Sequence, residues 1–192
     1  MSAQTSGAQD DVRVSWEDFL RFQQAYSGDE RLIWDQGRIV VAMTGGTERH
    51  DLTIAAFNDR LRATYRGSNC HVFTHNRQLK TEKRSYYPDV LVRCGDAAHP
   101  LYDHDARFVI EVLSPSNKPA NRTEMLYDYQ TLPSIEMIVF VDTRVRTATI
   151  HQKGEAGVWT ERATRNGTLT LGDAVIDLAQ LWVEVDEEST FD

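Results

Sequence analysis

The chain has 192 residues, 41% of them hydrophobic, and this length supports one sizeable core rather than two. No apolar run is long enough to cross a membrane, and the first eleven residues lack the basic and apolar parts of a signal peptide. The formal net charge of −8 argues against a nucleic-acid partner if the charge is evenly spread. We expect a soluble, cytoplasmic protein with no membrane contact, in which tails at 1–13 and 186–192 flank a single domain at 14–185.

The charge is not evenly spread, because residues 184–192 alone carry five acids. The basic residues of the body form three clusters: Arg60, Arg62 and Arg66; Arg77, Lys80, Lys83 and Arg84; and Lys118 and Arg122. The residues of each cluster either lie on a solvent-exposed face or form a basic rim around an acidic site, and the sequence does not decide between these two interpretations.

Cys70 and Cys94 are the only cysteines, and no CxxC pattern contains them. This spacing argues against a disulfide framework and against a cysteine zinc site. We expect both thiols to be reduced, half-buried, small hydrophobic side chains.

The N-terminal half contains signals for two helices and a hairpin. The segment "SWEDFLRFQQAYSG" predicts a helix with Ser15 as N-cap, and "RLIWDQGRIVVAM" predicts two strands around a "DQG" turn. A longer helix is predicted over about 47–66, where Ile54, Phe57, Leu61 and Tyr65 recur at helical spacing.

The C-terminal half alternates strands with one predicted helix. Four strand-like segments, "CHVFTHNRQLKT", "YPDVLVRC", "RFVIEVLS" and "IEMIVFVDT", are followed by a closing meander over "RTATIHQKG", "GVWTERATR" and "GTLTLGDAVIDLAQLWVEV". The helix is predicted over about 121–132 with Asn121 as N-cap. Since "FVIEVL" and "MIVFV" are apolar on both alternations, we expect an α/β (α+β) fold, with a mixed central sheet flanked by helices and an added antiparallel meander.

Two acids stand at neighbouring predicted strands. Asp89 follows Pro88 at the start of one strand, and Glu111 lies inside the next. An ionised, unpaired glutamate in an apolar strand costs several kcal/mol, so Glu111 requires a proton, a cation or a metal. Because adjacent strands lie about 5 Å apart, the two acids can converge and offer hard oxygen ligands to Mg²⁺ or Mn²⁺. The simpler readings are a turn-capping role for Asp89 and an ion pair of Glu111 with Arg93 or Arg107.

The spacing of these acids resembles that of the PD-(D/E)XK nuclease superfamily. More narrowly, "RIVVAMTGGTERH", "YYPDVLVRCG", "VIEVLSPSN" and "NRTEMLYDYQTLPSIEMIVFVD" resemble the Uma-type family of restriction-endonuclease-like proteins over about residues 30–150. The resemblance implies a restriction-endonuclease-like fold, Mg²⁺-dependent cleavage of DNA and a homodimer. It also implies that Asp89 and Glu111 bind the metal and that His50 occupies a histidine position of the family, although a polar helix N-terminus explains His50 equally well.

The chain departs from the family pattern at the lysine. The superfamily often has a lysine two residues after the glutamate, where this chain has Leu113. The Uma-type lysine lies in the following helix, four residues after an aspartate, and these positions are Met125 and Asn121. Methionine cannot stabilise developing charge as an ammonium does, and its spacing to Tyr129 favours core packing. Lys118 is the preferred substitute, with Arg122 as the second candidate.

Three functions follow from these observations. The leading hypothesis is a metal-dependent DNA endonuclease, impaired by the loss of the family lysine. The second is a catalytically degenerate member that binds DNA or a protein. The third, suggested by the acidic net charge, is a hydrolase of non-nucleic phosphoesters.

Overall fold

The computed structural model describes residues 13–42, 45–114 and 119–190. They belong to two compact units, divided after residue 44. The expected N-terminal tail lies almost entirely outside the described residues, and the single domain over 14–185 stays a prediction.

In its described residues, the N-terminal unit contains one helix and the predicted hairpin. Its elements are α1 (Trp16–Ala25), β1 (Leu32–Asp35) and β2 (Arg38–Val41). Ser15 is the N-cap of α1, as predicted, and its hydroxyl accepts a hydrogen bond from the backbone N–H of Asp18. Gln36 and Gly37 join the strands with φ of 49° and 89°, the left-handed conformation that a two-residue hairpin turn requires.

The C-terminal unit contains three helices and eleven strands in its described residues. The helices are α2 (Glu48–Tyr65), α3 (Pro119–Gln130) and α4 (Leu178–Glu188). The strands are β3 (Cys70–Thr74), β4 (Gln78–Lys80), β5 (Ser85–Tyr86), β6 (Val90–Cys94), β7 (Tyr102–Asp103), β8 (Phe108–Leu113), β9 (Met137–Asp142), β10 (Thr147–Lys153), β11 (Trp159–Thr164), β12 (Thr168–Leu171) and β13 (Ala174–Asp177).

Six of these strands form the central mixed sheet, in the order β11-β10-β9-β8-β6-β3. Only β8 and β9 are parallel, and the other neighbouring pairs are antiparallel. The mixed sheet flanked by helices confirms the predicted fold class. Because β8 and β9 lie inside the sheet, their near-continuous apolar sequences are explained by burial on both faces.

Two hydrophobic clusters cover the sheet. The first contains the predicted stripe of α2 (Ile54, Phe57, Leu61 and Tyr65) together with side chains of α4, β12 and β13. The second contains Tyr129 and Leu132, at the end of α3 and just after it, and Leu79 of β4. Successive residues of a strand point to opposite faces, so Val90 and Val92 enter the first cluster and Leu91 the second.

The expectation that the cysteines are reduced is wrong. Cys70 and Cys94 form a disulfide, because the antiparallel pairing of β3 with β6 makes them direct partners. Their separation of 24 residues matches no local cysteine motif, so the pairing depends on strand register, which the sequence does not display.

Three other boundaries differ from the predictions. Helix α3 begins at Pro119, so Asn121 is inside the helix rather than its N-cap. The segment "LAQLWVEV", assigned to the closing meander, belongs to α4, which Asp177 caps with its carboxylate. Helix α4 continues through Glu188, and Asp186, expected in a loose acidic tail, forms ion pairs with Arg49 and Arg146.

No helix among the described residues is both long and apolar enough to cross a membrane.

Candidate functional site

The two predicted acids meet on one face of the central sheet. Val90 pairs with Ile110 and Leu91 with Val109, so continuing the register by one residue sets Asp89 opposite Glu111. The Asp89 carboxylate accepts a hydrogen bond of 2.7 Å from the backbone N–H of Val112, which fixes its position beside β8. The antiparallel pairing of β6 with β8 therefore brings together two carboxylates that are 22 positions apart in the chain.

Glu111 is buried, and its hydrogen-bonding partner is a tyrosine. The hydroxyl of Tyr129, on α3, donates a hydrogen bond of 2.6 Å to the Glu111 carboxylate. Burial and the nearby charge of Asp89 raise the pKa of Glu111 well above its usual value. The proposed ion pairs of Glu111 are not formed, because Arg93 binds Asp103 and Arg107 binds Glu136.

His50 lies in the first turn of α2 beside Asp89. Its Nε2 is 3.6 Å from one carboxylate oxygen of Asp89, and its Nδ1 is 3.0 Å from Asp51. Burial opposes the charged imidazolium, but the hydrogen bonds and charges of Asp89 and Asp51 outweigh burial and raise the pKa of His50 to about 9. The imidazole is therefore protonated at neutral pH in the metal-free protein. His50, which the resemblance placed at a histidine position of the family, lies beside Asp89.

His75 completes the cluster, although the sequence analysis did not assign it to the site of the two acids. Its Nδ1 is 3.6 Å from the second carboxylate oxygen of Asp89. The segment predicted as one strand, "CHVFTHNRQLKT", breaks between β3 and β4, where His75 has a φ of 55°. Such a conformation is uncommon for a residue other than glycine and often marks a functional position. The polar triplet "THN" inside this segment was the available signal.

The positions of the family lysine are apolar and packed. Met125, on α3, and Leu113, at the end of β8, are both half-buried against the second hydrophobic cluster, as expected for Met125. Arg122 lies over the ring of Phe140, the strand partner of Glu111, at 4.9 Å from the ring centre. Lys118, the preferred substitute, lies outside the described residues.

Three arginines of the predicted basic clusters are committed to ion pairs. Arg77 binds the buried carboxylate of Asp103 and three backbone carbonyls, and Arg60 binds Glu184. Arg84 binds Asp128, which also accepts a hydrogen bond from Tyr86. These arginines hold elements together, so the contacts of Arg77 are structural.

The donor set at this site is small for a divalent cation. Within the described ranges, no group of three His, Cys, Asp or Glu side chains is arranged to hold a metal ion. Two carboxylates remain, Asp89 and Glu111, and the charge of Asp89 raises the pKa of Glu111. Mg²⁺ is commonly bound by one or two carboxylates, with water and substrate oxygens as its other ligands. Asp89 and Glu111 therefore fit a weakly held Mg²⁺ or a similar divalent ion.

Comparison with known proteins gives one family and one fold. A family model, Uma2, described as "Putative restriction endonuclease", matches residues 16–184. A solved structure from Anabaena variabilis, entitled a "putative nuclease belonging to DUF820", is similar with a TM-score of 0.70 and 13% identity, over 88% of this chain and 97% of the other. No curated protein matches. The family match covers most of the chain and the structural similarity gives the same fold: the chain belongs to the Uma2 family, whose fold is nuclease-like.

Proposed function

We propose that this protein is a metal-dependent DNA endonuclease of low activity, in which Asp89 and Glu111 hold Mg²⁺ or Mn²⁺. The observation that carries the proposal is the pair of carboxylates on facing strand positions, one of them buried and hydrogen-bonded to Tyr129. A cation between them would relieve the repulsion that raises the pKa of Glu111. The bound ion would supply activation of water and stabilisation of charge on the phosphate.

The side chains around the acids have supporting roles. Tyr129 orients Glu111 by its hydrogen bond, and the Val112 N–H orients Asp89. His50 and His75 flank opposite oxygens of Asp89. Both ring nitrogens of His50 face carboxylates, so His50 positions Asp89, whereas the Nε2 of His75 can donate a hydrogen bond to substrate phosphate. Lys118 is retained as the candidate for the missing lysine ammonium. The family name supports a nuclease, and DNA is the substrate that this name implies.

Metal binding is tested by thermal unfolding in Mn²⁺ and in Mg²⁺. A ligand that binds the folded state raises the melting temperature by mass action, so we expect a rise with metal in the natural protein. The double variant Asp89→Ala with Glu111→Ala should lose the rise. The control is Asp96→Ala with Glu155→Ala, which removes two exposed carboxylates and should keep it. A rise that persists in the Asp89 and Glu111 variant would refute the metal assignment.

The second candidate function is a degenerate binding module. It is favoured by Met125 and Leu113, which put packed apolar side chains at both family positions for lysine. The two functions differ in a cleavage assay on duplex DNA with Mg²⁺ or Mn²⁺, in which the endonuclease leaves a metal-dependent product that the Asp89 and Glu111 variant lacks. Binding without cleavage at any metal concentration identifies the module. A phosphodiester other than DNA, bis-(p-nitrophenyl) phosphate, tests the non-nucleic hydrolase.

A further inference from the structure

The free edge of the central sheet borders an open cavity. Strand β3 is the last strand of the sheet order, with β6 on one side and no further strand among the described residues on the other. A cavity of about 590 Å³ lies at the junction of α2 and β3, and Arg62, Arg66, Tyr65, His71 and Phe73 contribute to its lining. The disulfide between Cys70 and Cys94 ties the start of β3 to β6, so this edge is covalently held.

Arg62 and Arg66 differ from most arginines of the molecule. Both are exposed, and neither forms an ion pair with any acidic residue that the structure describes, whereas Arg60 on the same helix binds Glu184. One helical turn separates the two arginines, so their guanidinium groups can reach the same cavity. His71 adds an exposed imidazole from β3. The result is a local basic patch (Arg62, Arg66 and His71) on a protein whose net charge is −8.

The chemistry of the patch fits phosphodiester groups. Guanidinium groups bind phosphate oxygens through paired hydrogen bonds, and they keep their charge at any physiological pH. On an acidic protein, such a patch attracts a polyanion locally and so orients its approach.

Helix α2 connects the patch to the acids. His50, in its first turn, lies beside Asp89, and Arg62 follows 12 positions later in the same helix. At about 1.5 Å per residue the helix separates them by about 18 Å. This distance corresponds to about five base pairs along a duplex.

We propose that the basic patch of Arg62, Arg66 and His71 docks the sugar-phosphate backbone of the nucleic-acid substrate about five base pairs from the bond that faces Asp89 and Glu111. The proposal rests on the proposed nuclease function and adds the surface that positions the substrate. Arg77 does not share this role, since its guanidinium group is held by Asp103.

The test measures duplex binding with Ca²⁺ in place of Mg²⁺, over a series of salt concentrations. The variant Arg62→Glu with Arg66→Glu should bind about 10 to 100 times more weakly at low salt, and its slope of log affinity against log salt should be smaller by about 2. The matched control is Arg162→Glu with Arg165→Glu, which makes the same charge change at β11 and just beyond it, at the opposite edge of the sheet. The control should bind like the natural protein.

A length series and the metal assay separate this proposal from the proposed function. Duplexes that extend fewer than about five base pairs beyond the cleaved bond should bind the natural protein more weakly than longer ones, and the patch variant should not distinguish them. The Mn²⁺-dependent rise in melting temperature should be intact in the patch variant. Duplex binding that is weakened equally in both charge-reversed variants, or in neither, would overturn the proposal that the patch docks the substrate. It would not affect metal binding and cleavage, which the assays of the proposed function test separately.

Discussion

At the scale of single residues, the most unusual feature is a glutamate inside a buried strand. Glu111 is 9% exposed, and its neighbours in β8 are fully apolar. The hydrogen bond from Tyr129 satisfies one oxygen, but the ionised form still lies close to Asp89. A carboxylate so arranged costs folding free energy, which is consistent with selection for binding rather than for stability.

Glu111→Gln should make the metal-free protein more stable. Glutamine keeps the shape of the side chain and an oxygen that can accept the Tyr129 hydrogen bond, but it removes the charge next to Asp89. We expect a gain of about 1 to 3 kcal/mol in the free energy of unfolding, measured with urea in EDTA at pH 8. The same variant should lose most of the Mn²⁺-dependent rise in melting temperature. A loss of metal-free stability would mean that the carboxylate is held by an attractive partner instead.

At the scale of elements, helix α3 carries both the tyrosine that contacts Glu111 and Met125, the position at which the family resemblance implied a lysine. Met125 and Tyr129 are four residues apart, so they lie on one face of the helix. Because Tyr129 reaches Glu111, a long side chain at position 125 lies one turn from the same carboxylate. Packing of Met125 against the core confirms its expected role as a hydrophobic residue.

Met125→Lys should raise the cleavage activity. The ammonium would add a positive charge near Asp89 and Glu111, and a single charge-stabilising group contributes about one to three orders of magnitude in rate. The assay is single-turnover cleavage of duplex DNA in Mg²⁺, and Met125→Gln is the control for loss of packing. A lysine variant that folds and binds metal but remains as inactive as the glutamine variant would support the degenerate binding module.

The segment from β6 to β7 is held by a buried ion-pair network. Asp103 is fully buried and binds both Arg77 and Arg93. Burial opposes ionisation of Asp103, but the hydrogen bonds and charges of the two arginines outweigh it and lower the pKa of the carboxyl group. The network explains why the basic residue Arg77 is structural.

Asp103→Asn should destabilise the protein in a pH-dependent way. A carboxyl group whose pKa is lowered in the folded state contributes stability above its ordinary pKa of 3.8, and this contribution is lost as the pH falls through the lower folded value. We expect a loss of about 3 to 5 kcal/mol at pH 7, because the buried Arg93 and the half-buried Arg77 lose their charged partner. Urea unfolding at pH 7 and pH 3 measures the difference, which should shrink at the lower pH. Asp96→Asn, an exposed change in the same segment, should have little effect at either pH.

At the scale of the whole molecule, the distribution of charge influences which charged molecules can approach the protein. The net charge of −8 repels nucleic acid and a second copy of the chain alike. Several exposed or half-buried arginines are neutralised by acids from other elements, as in the pairs of Arg49 and Arg146 with Asp186. Truncation after residue 185 would remove Asp186 and cut α4, so nucleic-acid binding is better measured on the full chain.

The homodimer implied by the family resemblance should respond to salt. Two chains of like net charge repel each other, and screening weakens this repulsion as the Debye length falls from about 30 Å at 0.01 M salt to about 8 Å at 0.15 M. We therefore expect the dimer fraction in sedimentation velocity to increase over this range. A monomer at every salt and protein concentration would contradict the prediction.

The sequence by itself determined most of the secondary structure and indicated the two acids that form the candidate metal site. Apolar alternation and capping residues predicted α1, α2, the hairpin and the buried strands, because these signals act between residues close in the chain. Glu111 was identified for the same reason, since a carboxylate inside an apolar strand stands out within a short stretch of sequence. Asp89 was identified because it follows Pro88 at the start of the neighbouring strand. The helical nature of "LAQLWVEV" was missed, although Asp177 before it was an available capping signal.

Only the tertiary structure decided which side chains meet. Strand register paired Cys70 with Cys94 and set Asp89 opposite Glu111, and the break after β3 brought His75 to the second oxygen of Asp89.

The packing of elements also decided which arginines are neutralised, as for Arg60 and Arg77, while Arg62 and Arg66 face a cavity. Such contacts join residues far apart in the chain, and their free energy depends on pairing and packing that no local pattern of residues encodes.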